Sequence, residues 1–147
     1  MIRQLLSRIL PVLLFVLVLA APQAQAQVTP TPQTCDVSTV TGKYLVTVTG
    51  SYYDSQYYVY LIAATGFYQF DGAGGFTGSD TISNDGTITR RTITGTYQVN
   101  ADCTGNMTIT GSDKLTLHAD FAVSTAKNIS MVGTDSGTIL SGSAAKQ

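Results

Sequence analysis

From Gly42 onward, short alternating segments rich in Thr, Val, Ile and Tyr recur every ~8–14 residues, each closed by a cluster of Gly, Asp, Asn or Ser. No part of this region carries the 3.6-residue apolar period of an amphipathic helix. A chain patterned this way folds as consecutive strands. Tyr44, Val46 and Val48 alternate with Leu45, Thr47 and Thr49. Tyr57 to Phe70 reads as a longer aromatic strand bent at Gly66. The glycine turn Asp71 to Gly75 leads into Phe76–Ser83, and Asn84-Asp85-Gly86 is a tight hairpin signal. Thr87–Asn100 follows, with a bulge expected at Gly95. Asn106–Gly111, Lys114–Val123, Asn128–Gly133 and Thr138–Ala144 complete a set of eight.

Short connections make neighbouring strands antiparallel, and eight in a row leave two edges to hide. Closing into an up-and-down barrel removes both, so the expected fold is all-β, an eight-stranded antiparallel barrel. A β-sandwich is the alternative, but it would call for a longer crossover connection. In Lys114–Val123 the alternation is cleanest. Leu115, Leu117, Ala119, Phe121 and Val123 face one way, to be buried with Ile109, Ile129 and Met131. Thr116 and Asp120 face solvent.

Residues 1–26 read as a signal peptide. Arg3 and Arg8 precede an apolar run from Ile9 to Ala21, and Ala24-Gln25-Ala26 is a small-x-small cleavage pattern. The run is short for a membrane span. Residues 27–41 form a Pro/Thr-rich linker carrying Cys35, and residues 42–147 form the barrel domain. Beyond residue 26 there remain six Lys/Arg against nine Asp, and Glu is absent, so the exported chain is mildly acidic. That argues against nucleic acid or an anionic membrane as partner. Two cysteines in an exported chain most simply pair, Cys35 with Cys103. A reactive thiol or a metal site is the alternative, disfavoured by a single His and no C-x-x-C. The expected location is secreted or periplasmic.

The run Gly95-Thr96-Tyr97-Gln98-Val99-Asn100-Ala101-Asp102-Cys103-Thr104-Gly105 resembles a motif of small secreted bacterial proteins of unknown function. In that pattern a Cys, a G-x-Y opening strand and a DG-x-G hairpin come first, here Cys35, Gly42-Lys43-Tyr44 and Asp71-Gly72-Ala73-Gly74. By fold the group resembles the allene oxide cyclase and dirigent barrels. The resemblance implies a barrel. Cyclases of that type are expected to use a buried carboxylate, usually Glu, which this chain lacks.

Few side chains suit chemistry. His118 is the only imidazole and reads first as an exposed surface residue, with a general-base pairing to Asp120 on the polar face as the alternative; no G-x-S-x-G nucleophile motif accompanies it. Of the adjacent pair Arg90-Arg91, at most one can point into a barrel, where it would grip a carboxylate. Five of the eight tyrosines fall between Tyr52 and Tyr60, which suits a pocket mouth, a glycan platform or a protein interface. Tyr57, Tyr58, Tyr60, Phe70 and Arg90 are therefore the candidate ligand-binding residues. No catalytic set, cofactor or metal site is expected; Asn84-Asp85-Gly86 lacks the spacing of a calcium loop. Asn106-Met107-Thr108 and Asn128-Ile129-Ser130 match glycosylation sequons. The expected function is that of a secreted non-enzymatic barrel binding a small apolar or aromatic ligand, or an extracellular partner, through the tyrosine-rich strand. The alternatives are a structural surface protein with a filled barrel, and a cyclase- or isomerase-like enzyme.

Overall fold

The computed structural model describes residues 33–147; the expected signal segment and most of the Pro/Thr stretch lie outside the described residues. Eight strands follow in order: β1 (Thr41–Tyr53), β2 (Val59–Asp71), β3 (Gly75–Asn84), β4 (Thr87–Val99), β5 (Thr104–Gly111), β6 (Thr116–Val123), β7 (Ile129–Gly133) and β8 (Thr138–Lys146). Each pairs antiparallel with the next, and β8 returns to β1, closing the barrel. The closed ladder leaves no edge exposed.

Local chemistry sets the hairpins. Asp85 and Gly86 both adopt positive φ, 47° and 85°, between the paired residues Asn84 and Thr87. That is the two-residue turn whose twist matches the flanking strands. At the β2–β3 turn the Asp71 carboxylate accepts the Ala73 and Gly75 amide protons at 2.7 and 2.9 Å. Those bonds, Ala73's first, hold its pKa below the ordinary carboxylate value.

Alternation decides what lies inside. Tyr44 and Val46 of β1, Tyr68 and Phe70 of β2, Phe76 of β3, Ile93 and Tyr97 of β4, and Phe121 of β6 are all buried. At one end they form an aromatic cluster in which Phe70 packs on Tyr44, Phe76 and Tyr97 at centroid distances of 5.2, 4.9 and 5.2 Å. Such offset and edge contacts add stability beyond area burial. The ladder runs unbroken through Gly95, paired with Phe76 on one side and Ile109 on the other, so the expected bulge is absent. Gly95 serves instead as space: a Cβ there would lie 2.1 Å from the Phe76 ring. Gly105 stands in the same relation to its cross-strand partner Phe121.

This end is shut by residues that the sequence reading assigned to a linker. Residues 35–41 are not a loose tether. Asp36 caps a single 3₁₀ turn, η1 (Val37–Thr39), and Val40 behind it is completely buried. The Tyr97 hydroxyl donates to the carbonyls of Val40 and Val37 at 2.7 and 3.2 Å. Cys35 is disulfide-bonded to Cys103 in the β4–β5 turn, with Cα atoms 5.0 Å apart. The pairing read from the sequence is the one observed.

One face assignment is corrected. Leu115 is 37% exposed, whereas Ile109, Ala119, Phe121, Val123 and Ile129 are buried, Leu117 and Met131 partly so, and Thr116 and Asp120 are exposed. The turn closed by the Gly111 amide on the Leu115 carbonyl holds Lys114 at φ 69°, so strand alternation starts only at Thr116. Tyr57 (φ 64°) and Tyr58 likewise belong to the β1–β2 turn and not to β2.

Candidate functional site

In an up-and-down barrel, alternate connections gather at one end. Opposite the disulfide lie the β1–β2, β3–β4, β5–β6 and β7–β8 turns, and no plug segment among the described residues covers them. Here a pocket of about 190 Å³ opens, lined by Tyr52, Tyr53, Ile62, Asn84, Leu117 and Leu140 together with turn residues from Leu115 to Thr116 and from Asp135 to Thr138. Its floor is Ile62 and Leu140, which form a small buried apolar cluster with Ile82, flanked by Leu117 and Tyr52. Tyr52 stacks on its register partner Tyr60 at 5.0 Å and 14°. Asn84 donates its amide to the Tyr52 hydroxyl at 3.2 Å. Larger depressions of about 530 and 450 Å³ are open troughs on the outer wall over β5–β7 and β2–β4.

The β1–β2 turn is pinned. One oxygen of the Asp54 carboxylate accepts the Gln56 and Tyr58 amide protons at 2.8 and 3.1 Å, and the other accepts the Tyr60 hydroxyl at 3.3 Å. The negative charge of Asp54 is the leading reason the Tyr60 hydroxyl is harder to ionise than a free phenol. Tyr57 stands 85% exposed at the tip with a left-handed backbone, and Tyr58 is 64% exposed. A bulky residue in that conformation persists only where its surroundings over-determine it.

Of the residues singled out from the sequence, Tyr57, Tyr58 and Tyr60 lie at this end of the barrel but outside the pocket lining, Tyr60 stacked on Tyr52. Phe70 does not join them; it is 1% exposed, at the far end of β2, inside the aromatic cluster. Arg90 points outward on β4 and is exposed. The inward member of the pair is Arg91, and its carboxylates come from the protein itself. Its Nε and Nη2 donate to the two oxygens of Asp80 at 3.0 and 2.8 Å, and Nη1 donates to Asp113 at 3.1 Å. Tyr68 donates its hydroxyl to Asp80 at 3.0 Å. Burial first, then the Asp80 charge, holds the Tyr68 phenol well above its ordinary range. Removing charges from water is costly, and full mutual pairing offsets it. Three inward glycines make room: a Cβ on Gly66 would strike Asp80, one on Gly78 would strike Tyr68, and one on Gly111 would strike Asp113.

His118 is exposed on β6. Asp120, two residues along the same strand, makes no hydrogen bond to it, because such side chains stand roughly 6–7 Å apart. The partner is Asp135, from the β7–β8 turn. One of its oxygens lies 2.7 Å from His118 Nδ1, and the other accepts the His118 amide proton at 2.8 Å. Burial raises the Asp135 pKa, but these bonds outweigh it, and the net position is below the ordinary carboxylate value.

Tyr52 and Asn84 were absent from the sequence-derived site, although their signal was present. Extending the inward parity of Tyr44, Val46 and Val48 along β1 reaches Tyr52, and extending that of Phe76 and Ile82 along β3 reaches Asn84. Among the described residues no group of three His, Cys, Asp or Glu side chains is placed to hold a metal. Of the two sequon asparagines, Asn106 lies exposed on β5, and Asn128 is exposed while its side-chain oxygen accepts the Lys146 amide proton.

Among solved structures the chain is similar to a redesigned β-barrel, at a TM-score of 0.53 and 18% identity over 76% of this chain and 94% of that one. A likeness at that identity carries the fold alone. No protein-family model and no curated protein matches the chain.

Proposed function

We propose that the chain is an exported, non-enzymatic binding protein that takes a small molecule with a single-ring apolar body at the tyrosine-bearing mouth of its barrel. The observation carrying this reading is the mouth pocket itself: an apolar floor of Ile62, Leu117 and Leu140 under a polar edge of Asn84 and the Tyr52 hydroxyl. A cavity of ~150 Å³ lined by aliphatic side chains accommodates benzene, so about 190 Å³ suits one ring and not a drug-sized ligand. The disulfide accords with an oxidising, extracellular or periplasmic location.

The interior favours binding over catalysis. Cyclase-like chemistry of the kind the fold resemblance suggests needs free, convergent polar groups, whereas Asp80, Arg91, Tyr68 and Asp113 satisfy one another. The packed aromatic end also supports a second reading, a structural surface protein whose barrel is simply filled.

Ligand-observed NMR with neutral one-ring fragments such as benzyl alcohol separates the two. Binding with Kd in the roughly millimolar range is expected, weakened at least about fivefold by Tyr52→Ala and unchanged by Arg90→Ala on the outer wall. Absence of binding, or binding insensitive to Tyr52→Ala in the folded variant, would overturn the proposal and leave the filled barrel.

A further inference from the structure

The mouth pocket is electrostatically one-sided. Asp135 is the one charged residue among those that line it. The surrounding rim has the same sign: each of the four turns at this end contributes an aspartate, Asp54, Asp85, Asp113 and Asp135, against Lys114 as the one basic residue within those turns. Arg91 approaches the β5–β6 turn from inside, but its donors are taken up by Asp80 and Asp113. Asp135 is also held in place. Its two oxygens are fixed by the His118 ring and amide, while its side chain keeps 29% exposure. A neutral imidazole with its proton on Nδ1 makes that bond and leaves the carboxylate charge uncompensated. Two phenol rings, Tyr52 and Tyr53, line the same pocket. Their π-faces attract cations and not anions.

Resting on the mouth as the binding site, we propose that its ligand is a cation, a small organic ammonium whose apolar body sits on Ile62, Leu117 and Leu140 and whose charged nitrogen lies at Asp135 beside the tyrosine rings. An anionic ligand of the same shape would meet a fixed carboxylate with no Lys or Arg among the lining residues to answer it. A neutral one would forgo the attraction.

An isosteric series tests this: benzylammonium, benzyl alcohol and benzoate titrated into the folded chain at about pH 8, followed by amide NMR shifts. Benzylammonium should bind about tenfold tighter than benzyl alcohol, and benzoate weakest. Raising ionic strength should weaken benzylammonium alone. Asp135→Asn should bring benzylammonium to the level of benzyl alcohol. Should Asp135→Asn fail to fold, the salt dependence in the unsubstituted protein decides. Equal affinity for alcohol and ammonium, tighter binding of benzoate, or a cation preference that survives Asp135→Asn would overturn the inference and leave the mouth reading standing. No binding by any of the three at roughly 10 mM would overturn both.

Discussion

The two ends of this barrel are built from the same alternating strands and finished in opposite ways. At the disulfide end, Tyr44, Phe70, Phe76 and Tyr97 fill the interior, η1 lies across the opening, and Cys35 ties that segment to the β4–β5 turn. At the mouth the interior thins to Ile62, Ile82 and Leu140, a pocket remains, and the apolar groups turn outward: Tyr57, Tyr58, Val59, Leu61 and Ile139 are all more than half exposed. The closed end concentrates stability, and the open end concentrates accessible surface.

This contrast assigns the Gly95–Gly105 run. Gly95 and Gly105 yield space to Phe76 and Phe121. Tyr97 holds the η1 segment, and Cys103 staples it. Asp102 accepts both the amide and the hydroxyl protons of Thr104, bonds that lower its pKa. Every one of these contacts closes the barrel, and none of these residues lines the mouth pocket. The most distinctive stretch of sequence is a structural closure.

If stability is polarised in this way, the largest effect comes from the closed end. Phe121→Ala should cost about 3–5 kcal/mol in chemical denaturation, because its ring fills space that Gly105 leaves and a cavity would remain. A loss below ~1 kcal/mol would abolish the contrast. Opening the disulfide, by reduction or by Cys35→Ser with Cys103→Ser, should cost about 4 kcal/mol from the loop of 68 residues that it closes. It should also release η1, so amide exchange at Val40 should rise while that at Ile62, near the mouth, follows global unfolding alone. Equal acceleration at both sites would show the ends to be one cooperative unit.

The smallest effect is a pH dependence that both ends share. Asp71 and Asp102 at the closed end and Asp135 at the mouth have folded pKa values below the reference 3.8. A carboxylate depressed on folding adds stability that is fully present above its unfolded pKa and lost as pH falls through the folded one. The melting temperature should therefore hold steady down to about pH 4 and fall below it. Asp135→Asn should lower the plateau slightly and shallow that fall. A fall beginning above pH 5 would place the sensitive groups elsewhere.

Strand number, strand order, most turn positions and the disulfide were legible in the amino-acid sequence because each is written locally. Period-two alternation marks a strand, Asp85-Gly86 marks a two-residue turn, and in a chain of two cysteines each has one possible partner. Short hairpins then leave closure as the way to hide two edges. What sequence reasoning missed depends on contacts made across the fold. His118 meets Asp135, 17 positions away, instead of its neighbour Asp120. Leu115 is released to the surface by a turn whose left-handed Lys114 no alternation pattern records. Residues 35–41 look like a tether until Tyr97 and Cys103 supply the partners that bury Val40. The site itself was decided last. Parity alone places Tyr52, Ile62 and Asn84 inward, but inward positions at the two ends read alike in the sequence. Only the closed barrel, with η1 across one opening and four turns ringing the other, determines which inward residues become core and which become the wall of a pocket.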